Sequence, residues 1–296
     1  MTAWHHAPVN EVKTNRRDVL RGARRRLSGA VASNEVSRMV WRWWRHRRTE
    51  VYFLSYPKAG RTWLRLLVGR ALMDELALAD LDPLELWELS RHSDRVPRMR
   101  VTHDDDPQLK RPDEVERDKR RYAGKSVVFL VRNPRDVVIS YYFQASKRRD
   151  RFAGTPSEFL RHPVGSLDTI LTYYNVWAES RSVPSRFCLV RYEDLHADTM
   201  GQLERVLTVL GRSPRREVLE RAVEYARFDN MRALEKKNAF RSTRLRPADE
   251  ADPESFKTRK GKVGGYREYL TADDIAWMNE RISQRLSPFY AEYLAG

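Results

Sequence analysis

The chain has 296 residues and a formal net charge of +15, with 56 Lys and Arg against 41 Asp and Glu. Hydrophobic residues make up 41% of the sequence, which excludes a disordered polyelectrolyte and predicts one large domain or two small ones. The positive charge favours anionic partners such as nucleic acid, phosphate-bearing molecules or an acidic membrane.

The single cysteine, Cys188, excludes an intramolecular disulfide and a thiolate-rich metal site. No hydrophobic segment approaches the length needed to span a bilayer, and the N-terminus lacks the apolar stretch of a secretory signal. We therefore expect a cytoplasmic protein without a bound metal.

Residues 1–49 are predicted to form a basic arm ahead of a domain at residues 50–296. Residues 1–50 hold twelve Lys and Arg and four Asp and Glu, a net charge of +8. Within the arm, residues 36–48 (VSRMVWRWWRHRR) place apolar side chains at helical spacing among arginines. Such a helix either makes peripheral contact with the inner membrane surface or packs its tryptophans on the main domain. The second arrangement is the more common one.

The rest of the chain alternates short apolar runs with helical patterns. Strands are predicted at Val51–Ser55, Met99–Thr102, Ser126–Val131 and Phe187–Arg191. Helices are predicted to begin near Trp63, Arg135, Pro156, Leu167, Met200, Pro214, Phe228 and Thr271. This alternation predicts an α/β fold, a single domain with a central, mainly parallel sheet flanked by helices. Ligands bind at the carboxyl ends of the strands in such sheets, so the polar residues after each strand are expected to meet along one edge.

The most informative stretch is VYFLSYPKAGRTW, residues 51–63. An apolar strand runs into a turn that contains Lys58, Gly60, Arg61 and Thr62, and a helix follows. This arrangement is typical of a phosphate site, because backbone N–H groups and the helix dipole face the anion. The ATPase sequence G-x-x-x-x-G-K-[ST] is absent. The stretch predicts either a P-loop-like anion site of a non-ATPase type or an ordinary β–α connection with a surface lysine.

Two further clusters suit anionic ligands. Arg132 and Ser140 lie near the start of the helix after the clearest strand, which suits a second phosphate. The alternative there is an exposed ion pair between Arg135 and Asp136. Residues 256–265 (FKTRKGKVGG) concentrate cations among glycines and predict a lid over an anionic ligand or a solvated loop.

Four blocks in chain order, YPKAGRTW, LVRNPRDVVISYY, RYEDL and FKTRKGKVGGYREYLT, resemble the signature blocks of the cytosolic-type sulfotransferase family. The resemblance covers roughly residues 50–290, and four ordered blocks are far more specific than any single motif. It implies an enzyme that moves a sulfuryl group from 3′-phosphoadenosine 5′-phosphosulfate (PAPS) to a hydroxyl of an acceptor. The acceptor is a small alcohol, phenol, glycan or lipid headgroup, and adenosine 3′,5′-bisphosphate (PAP) is the product.

The resemblance also assigns the PAPS-binding residues. The loop that holds the 5′-phosphosulfate corresponds to Lys58, Ala59, Gly60, Arg61 and Thr62. The residues beside the adenine correspond to Trp63, Tyr192 and Phe228. The residues on the 3′-phosphate correspond to Arg132, Ser140, Arg259, Lys260 and Gly261. The family usually has hydroxyl side chains at the positions of Ala59, Arg61 and Ala226, so those contacts are lost here.

The catalytic residues implied by the resemblance are Lys58, which steadies the leaving phosphate, and His103, which follows a predicted strand. A neutral imidazole takes the acceptor's proton as the sulfur is attacked in line. Asp104, Asp105 and Asp106 come next. They are predicted either to favour a cationic or polyhydroxyl acceptor over an anionic one, or to form a solvated loop with a helix cap.

Two other functions stay open on the residues themselves. A nucleotide-dependent phosphotransferase would share the fold class, although the Walker lysine and an acidic magnesium site are not evident. A non-catalytic, basic nucleic-acid-binding protein is compatible with the charge, although about half of it lies in the arm and no nucleic-acid motif occurs. With a sulfotransferase, the expected partner is a hydroxyl-bearing acceptor and no nucleic acid.

Overall fold

The computed structural model of the protein describes residues 37, 40–41, 43–78, 80–149, 151–237, 239–240 and 261–295. The chain divides into two units, residues 1–48 and residues 49–296. In the first unit, residues 43–48 are helical. Within the described ranges, no helix has the length and apolar character required to cross a membrane.

Four strands form the sheet of the second unit: β1 (Val51–Ser55), β2 (Met99–Thr102), β3 (Ser126–Val131) and β4 (Arg186–Arg191). Their order is β2-β1-β3-β4, and every neighbouring pair is parallel. The first three strands have the predicted bounds, and β4 begins one residue earlier than predicted. The predicted α/β fold with a parallel sheet is confirmed.

Successive side chains of each strand enter two different cores, one on each face of the sheet. Val51 and Phe53 belong to the first core, whereas Tyr52 and Leu54 belong to the second. A sheet buried on both faces needs apolar residues at every strand position, because alternate residues point to opposite sides. This is why the two central strands, β1 and β3, are almost entirely apolar in the sequence, whereas the edge strand β2 is not.

Helices cover both faces. Those with residues in the first core are α1 (Arg61–Leu76), α2 (Leu86–His92), α6 (Tyr192–Ala197), α7 (Thr199–Val209), α8 (Arg216–Tyr225) and α9 (Phe228–Lys236). Those with residues in the second core are α3 (Pro134–Phe143), α4 (Pro156–Leu160), α5 (Leu167–Glu179) and α10 (Ala272–Arg285). Helix α6 was not predicted from the sequence, because it starts directly after β4 without an intervening loop.

The three aspartates after β2 form a left-handed turn. Asp104, Asp105 and Asp106 have φ angles of 54°, 70° and 48°. Side chains other than glycine rarely adopt this conformation, and each such residue costs on the order of 1 kcal/mol or more. Three in succession therefore require strong tertiary contacts to hold them.

Asp104 supplies those contacts from inside the protein. Its side chain is fully buried, and its carboxylate lies 2.7 Å from Lys119 Nζ. It also pairs with Arg121 and accepts hydrogen bonds from the Tyr122 hydroxyl at 2.5 Å and from Trp177 Nε1 at 3.1 Å. Both roles predicted for this residue, in an acceptor site or in a solvated loop, are wrong, because the carboxylate points into the core.

The charges around Asp104 decide its ionisation. Burial raises the pKa of a carboxyl group, but Lys119 and Arg121 outweigh that effect and hold the pKa of Asp104 below its ordinary value of 3.8. Asp105 differs, because its carboxylate is partly exposed and pairs with Lys110. Two adjacent residues of one turn thus offer a matched comparison between a buried and an exposed ion pair.

We predict that Asp104→Asn lowers the free energy of unfolding by about 3 kcal/mol, because the buried Lys119 would keep its charge without its ionised partner. The control is Asp105→Asn, for which a loss of about 1 kcal/mol or less is expected. Urea unfolding at neutral pH measures both variants. Equal losses would contradict the importance of the buried ion pair.

The difference between wild type and D104N should also depend on pH. The pKa of Asp104 is lower in the folded protein than the value of 3.8 expected in the unfolded chain. The ionised Asp104 side chain therefore contributes its full stabilisation at pH values above 3.8, and this contribution is lost as the pH falls through the pKa of the folded state. The difference in unfolding free energy should therefore stay constant from neutral pH to about pH 5 and narrow towards pH 3. A difference that widens on acidification would contradict this assignment.

Candidate active site

A cavity of about 1040 Å³ lies at the carboxyl ends of the strands. In the order β2-β1-β3-β4, the chain leaves β1 towards β2 on one side and later returns to β3 on the other. Such a reversal opens a crevice between the loops that follow neighbouring strands. The predicted site residues that line the cavity are Lys58, Gly60, Arg61, Thr62, Trp63, His103, Arg132, Ser140, Tyr192, Phe228 and Gly261.

Among the described residues, one predicted residue is not in that wall. Ala59 is fully buried and its methyl group belongs to the first core, so only its backbone remains available to a ligand. Arg259 and Lys260 lie outside the described residues, as do residues 256–258 of the loop predicted to be a lid. Their predicted contacts with the 3′-phosphate stay predictions.

The loop between β1 and α1 is shaped by its backbone. Lys58 and Gly60 have φ angles of 72° and 97°. A Cβ atom on Gly60 would lie 2.5 Å from the Tyr192 ring, so the position requires glycine for both its conformation and its contact. Helix α1 begins at the next residue, which brings the positive end of its dipole to the cavity. The loop therefore has the form of an anion site.

Arg132 is held where β3 ends. The Tyr174 hydroxyl accepts a hydrogen bond from the Arg132 backbone N–H at 3.0 Å and donates one to its carbonyl oxygen at 2.9 Å. The Arg132 guanidinium donates to the Lys262 carbonyl oxygen at 2.8 Å. Burial raises the pKa of Tyr174, so this hydroxyl keeps the proton that it donates.

The segment that starts at Gly261 is tied to the first turn of α3 by Asp136. One Asp136 oxygen accepts from the Gly264 N–H at 2.8 Å, and the other accepts from the Tyr266 N–H at 3.1 Å. The same carboxylate lies 3.6 Å from the Arg132 guanidinium. Asp136 thus connects the late segment to the arginine of the predicted phosphate site.

An exposed pair between Arg135 and Asp136, the alternative considered for this stretch, is wrong. Arg135 is 1% exposed and donates to Asn279 Oδ1 at 2.7 Å and to the Tyr293 carbonyl oxygen at 3.0 Å. Burial lowers the pKa of Arg135. Both side chains are therefore parts of the interior that supports the site.

One wall of the cavity is aromatic. Trp63 donates from Nε1 to the Ala226 carbonyl oxygen at 2.9 Å, and its ring packs edge-on against Tyr192 with centroids 5.7 Å apart. The Tyr192 hydroxyl donates to the Gly261 carbonyl oxygen at 3.2 Å. Gly261 has a φ of 63°, and a Cβ atom there would lie 2.7 Å from the Phe228 ring. Aromatic rings held in this way offer a flat surface on which a planar nucleobase can stack.

His103 lies where the ends of β1 and β2 meet. Its Nδ1 is 2.9 Å from the Ser55 carbonyl oxygen, and its Nε2 is 2.7 Å from Nη2 of Arg61. A carbonyl oxygen only accepts hydrogen bonds and a guanidinium only donates them. The imidazole is therefore neutral, with the proton on Nδ1 and the lone pair on Nε2.

Sequence reasoning missed several residues of the cavity. Asp136, Arg149, His196 and Lys262 also line it. Lys262 holds Arg132 through its backbone carbonyl, which no side-chain pattern reveals. Asp136 was visible in the block LVRNPRDVVISYY but was considered only as a member of a surface pair. In the described ranges, no group of three or more His, Cys, Asp or Glu side chains is arranged to hold a metal ion.

Comparison with known proteins gives the family. The family model described as the sulfotransferase domain matches residues 48–289. Human Sulfotransferase 2B1 is 25% identical over 247 residues, which cover 76% of this chain and 62% of the human protein. Cytosolic sulfotransferase 16 of Arabidopsis thaliana is 26% identical over 270 residues, which cover 81% of this chain and 76% of the plant protein. The chain thus spans less than two thirds of the length of the human relative.

Solved structures show the same fold. Mouse sulfotransferase SULT7A1 complexed with PAP superimposes with a TM-score of 0.55 at 21% identity, covering 80% of this chain and 84% of the mouse chain. Retinol dehydratase in a complex with retinol and PAP gives a TM-score of 0.57 at 18% identity, covering 80% and 81%. At these identities the likeness concerns the fold.

The family match extends over most of the chain and includes all four sequence blocks. It confirms the predicted family and the predicted class of protein, a sulfotransferase. The phosphotransferase and nucleic-acid-binding alternatives lose their support. This chain belongs to the sulfotransferase domain family.

Proposed function

We propose that this protein transfers the sulfuryl group of PAPS to a hydroxyl of its acceptor by in-line attack, with His103 as the base. The observation that carries the proposal is the bond from His103 Nδ1 to the Ser55 carbonyl oxygen at 2.9 Å. It leaves the lone pair on Nε2, in the wall of the cavity that also contains Lys58. A base needs such a fixed tautomer to accept a proton at a defined atom.

The cations and the aromatic side chains in the lining of the cavity support this choice of donor. Lys58, Gly60 and Thr62 are proposed to hold the 5′-phosphosulfate, because the glycine backbone allows close approach and the helix dipole favours an anion. Arg132 and Ser140 are proposed to hold the 3′-phosphate. The adenine is assigned to the aromatic wall of Trp63, Tyr192 and Phe228. The same proposal includes Arg259, Lys260 and Gly261 around the 3′-phosphate.

The reaction conserves atoms and charge as follows. The acceptor hydroxyl gives its proton to His103 Nε2 as its oxygen bonds to sulfur. The bond between sulfur and the bridging oxygen breaks, and its electron pair stays on the phosphate of PAP. Negative charge grows on that oxygen, so the fixed cation of Lys58 stabilises the transition state more than the ground state.

The acceptor contains a hydroxyl group, and its class remains a proposal. Of the three aspartates after His103, Asp106 is the one that lines the cavity. The preference for a cationic or polyhydroxyl acceptor is therefore proposed for Asp106 alone. Androsterone and retinol are bound by retinol dehydratase, whose structures are 18% identical to this chain, so they do not define the acceptor here.

The first test of the function is calorimetric binding of PAP and ATP to the full chain. We expect PAP to bind at least about tenfold more tightly than ATP, and Arg132→Ala to weaken PAP binding by about tenfold to a hundredfold, since it removes a charge-assisted contact. The matched control is Arg117→Ala, an exposed arginine outside the cavity. Equal binding of PAP and ATP would contradict the assignment of the donor.

His103→Ala separates binding from chemistry. We expect PAP affinity to change little, whereas PAPS turnover with an acceptor found by screening phenols, alcohols and glycans falls by about a hundredfold to ten-thousandfold. Release of PAP from PAPS measures the rate. An unchanged rate in this variant would exclude His103 as the base.

We also propose that the protein is cytoplasmic, as the name of the Arabidopsis relative states for that protein, and that its N-terminal unit contacts the anionic inner surface of the membrane. Trp41, Trp43 and Trp44 are 56%, 58% and 42% exposed. An arginine four residues further on lies over each ring, at 5.0, 5.1 and 4.7 Å from the centroid. Tryptophans among arginines suit a lipid headgroup layer.

Sedimentation with vesicles tests the membrane contact. The full chain should bind vesicles that contain about 30% phosphatidylserine, and replacement of Trp41, Trp43 and Trp44 by alanine should weaken binding about tenfold or more. Pure phosphatidylcholine vesicles are the control for charge. If the triple variant bound the anionic vesicles as well as wild type does, the proposed contact would be wrong.

A further inference from the structure

The base nitrogen of the proposed mechanism has a partner that competes with catalysis. Nη2 of Arg61 donates to Nε2 of His103 at 2.7 Å. This hydrogen bond uses the lone pair that must accept the proton of the acceptor hydroxyl. In the arrangement seen here, an acceptor hydroxyl and Arg61 compete for the same atom.

Arg61 also belongs to the loop that faces the sulfuryl donor. It is the first residue of α1, one position after Gly60, and its side chain lines the cavity together with Lys58. The resemblance places a small hydroxyl residue at this position in the family. A guanidinium at the positive end of a helix is attracted to an anion in the same place.

We propose that Arg61 switches between His103 and the sulfuryl group of PAPS, so that the base is released only when the donor is bound. This inference rests on the proposed function of His103 and of the loop. It assigns to Arg61 a catalytic role that its family counterpart, a hydroxyl residue, does not fill.

The charges explain the direction of the switch. Without donor, the guanidinium donates from Nη2 to the neutral imidazole. A bound sulfuryl group presents anionic oxygens, which add to the hydrogen bond a Coulomb attraction that a neutral acceptor lacks. A ligand shifts such an equilibrium by its differential affinity for the two arrangements, and PAPS has this differential affinity.

The product has a different effect from the donor. PAP lacks the sulfuryl group, so it offers Arg61 no sulfuryl oxygens and leaves it on His103. An acceptor hydroxyl then meets an occupied base in the complex with PAP and an available base in the complex with PAPS. The arrangement thus favours binding of the donor before the acceptor and disfavours a dead-end complex of acceptor and product.

Nitrogen NMR of histidine in the full chain reports on the contact directly. With ¹⁵N-histidine labelling, the signals of His103 are assigned by their loss in His103→Gln. We expect the Nε2 resonance of ligand-free Arg61→Ser to differ from that of wild type. Addition of PAPS to wild type should move the resonance towards the Arg61→Ser position, whereas PAP should leave it in place.

Two variants control for charge. Arg61→Lys keeps a cation at the position, and its Nε2 resonance should lie between those of wild type and Arg61→Ser. Arg227→Ser removes a cation from the same cavity, where Arg227 pairs with Glu224 at 3.1 Å, and should leave the His103 signals as in wild type.

Binding provides an independent measurement. Arg61→Ser should weaken PAPS binding about tenfold or more and PAP binding by less than about twofold. An Nε2 resonance that is identical in wild type and Arg61→Ser would overturn the contact, and equal shifts with PAP and PAPS would overturn the switch. Failure of wild type to bind PAP would instead overturn the proposed function, while the ligand-free comparison would stand.

Discussion

The site depends on the parallel pairing of β1 with β2 on one side and β3 on the other. This pairing brings three chain segments to one edge of the sheet, although they are separated by tens of residues in the sequence. Lys58 follows β1, His103 follows β2 and Arg132 follows β3. The bond between His103 and the Ser55 carbonyl oxygen joins two of these strand ends directly. The position of His103, the proposed base, is thus fixed by the ends of two neighbouring strands.

Two carboxylates, the buried Asp104 and the partly buried Glu193, support the loops of the site. Asp104 neutralises Lys119 and Arg121 beneath the turn that follows His103. Glu193 accepts a hydrogen bond from the Tyr293 hydroxyl at 2.7 Å and another from the Asn133 N–H at 2.9 Å. Asn133 directly follows Arg132 in the chain. These acids are fully engaged by interior donors. They therefore stabilise the loops of the site without adding acceptors that would repel an anionic ligand.

The sequence predicted those parts of the fold and site that local patterns determine. Apolar runs gave β1, β2 and β3 with their bounds, and Thr271 was predicted to open a helix, where it caps α10 by accepting from the Asp274 N–H. The burial of Asp104 was not predictable, because its partners are distant in the sequence. Lys119 lies 15 positions away and Trp177 lies 73 positions away. The same holds for Arg61, whose contact with His103 spans 42 positions. Local patterns identify which residues reach the cavity, whereas tertiary contacts determine what each one does there.

The cations of the cavity differ in how firmly they are held, and this difference bears on their roles. Arg132 is fixed by the Tyr174 hydroxyl at its backbone and by the Lys262 carbonyl oxygen and Asp136 at its guanidinium. A preorganised guanidinium of this kind suits the 3′-phosphate, which is present in both donor and product, because Arg132 then has no need to move during the reaction. Arg61 instead donates a hydrogen bond to the neutral imidazole of His103, and an anion readily replaces such a partner. A cation held by such a replaceable partner suits the sulfuryl group, which is the group that is transferred.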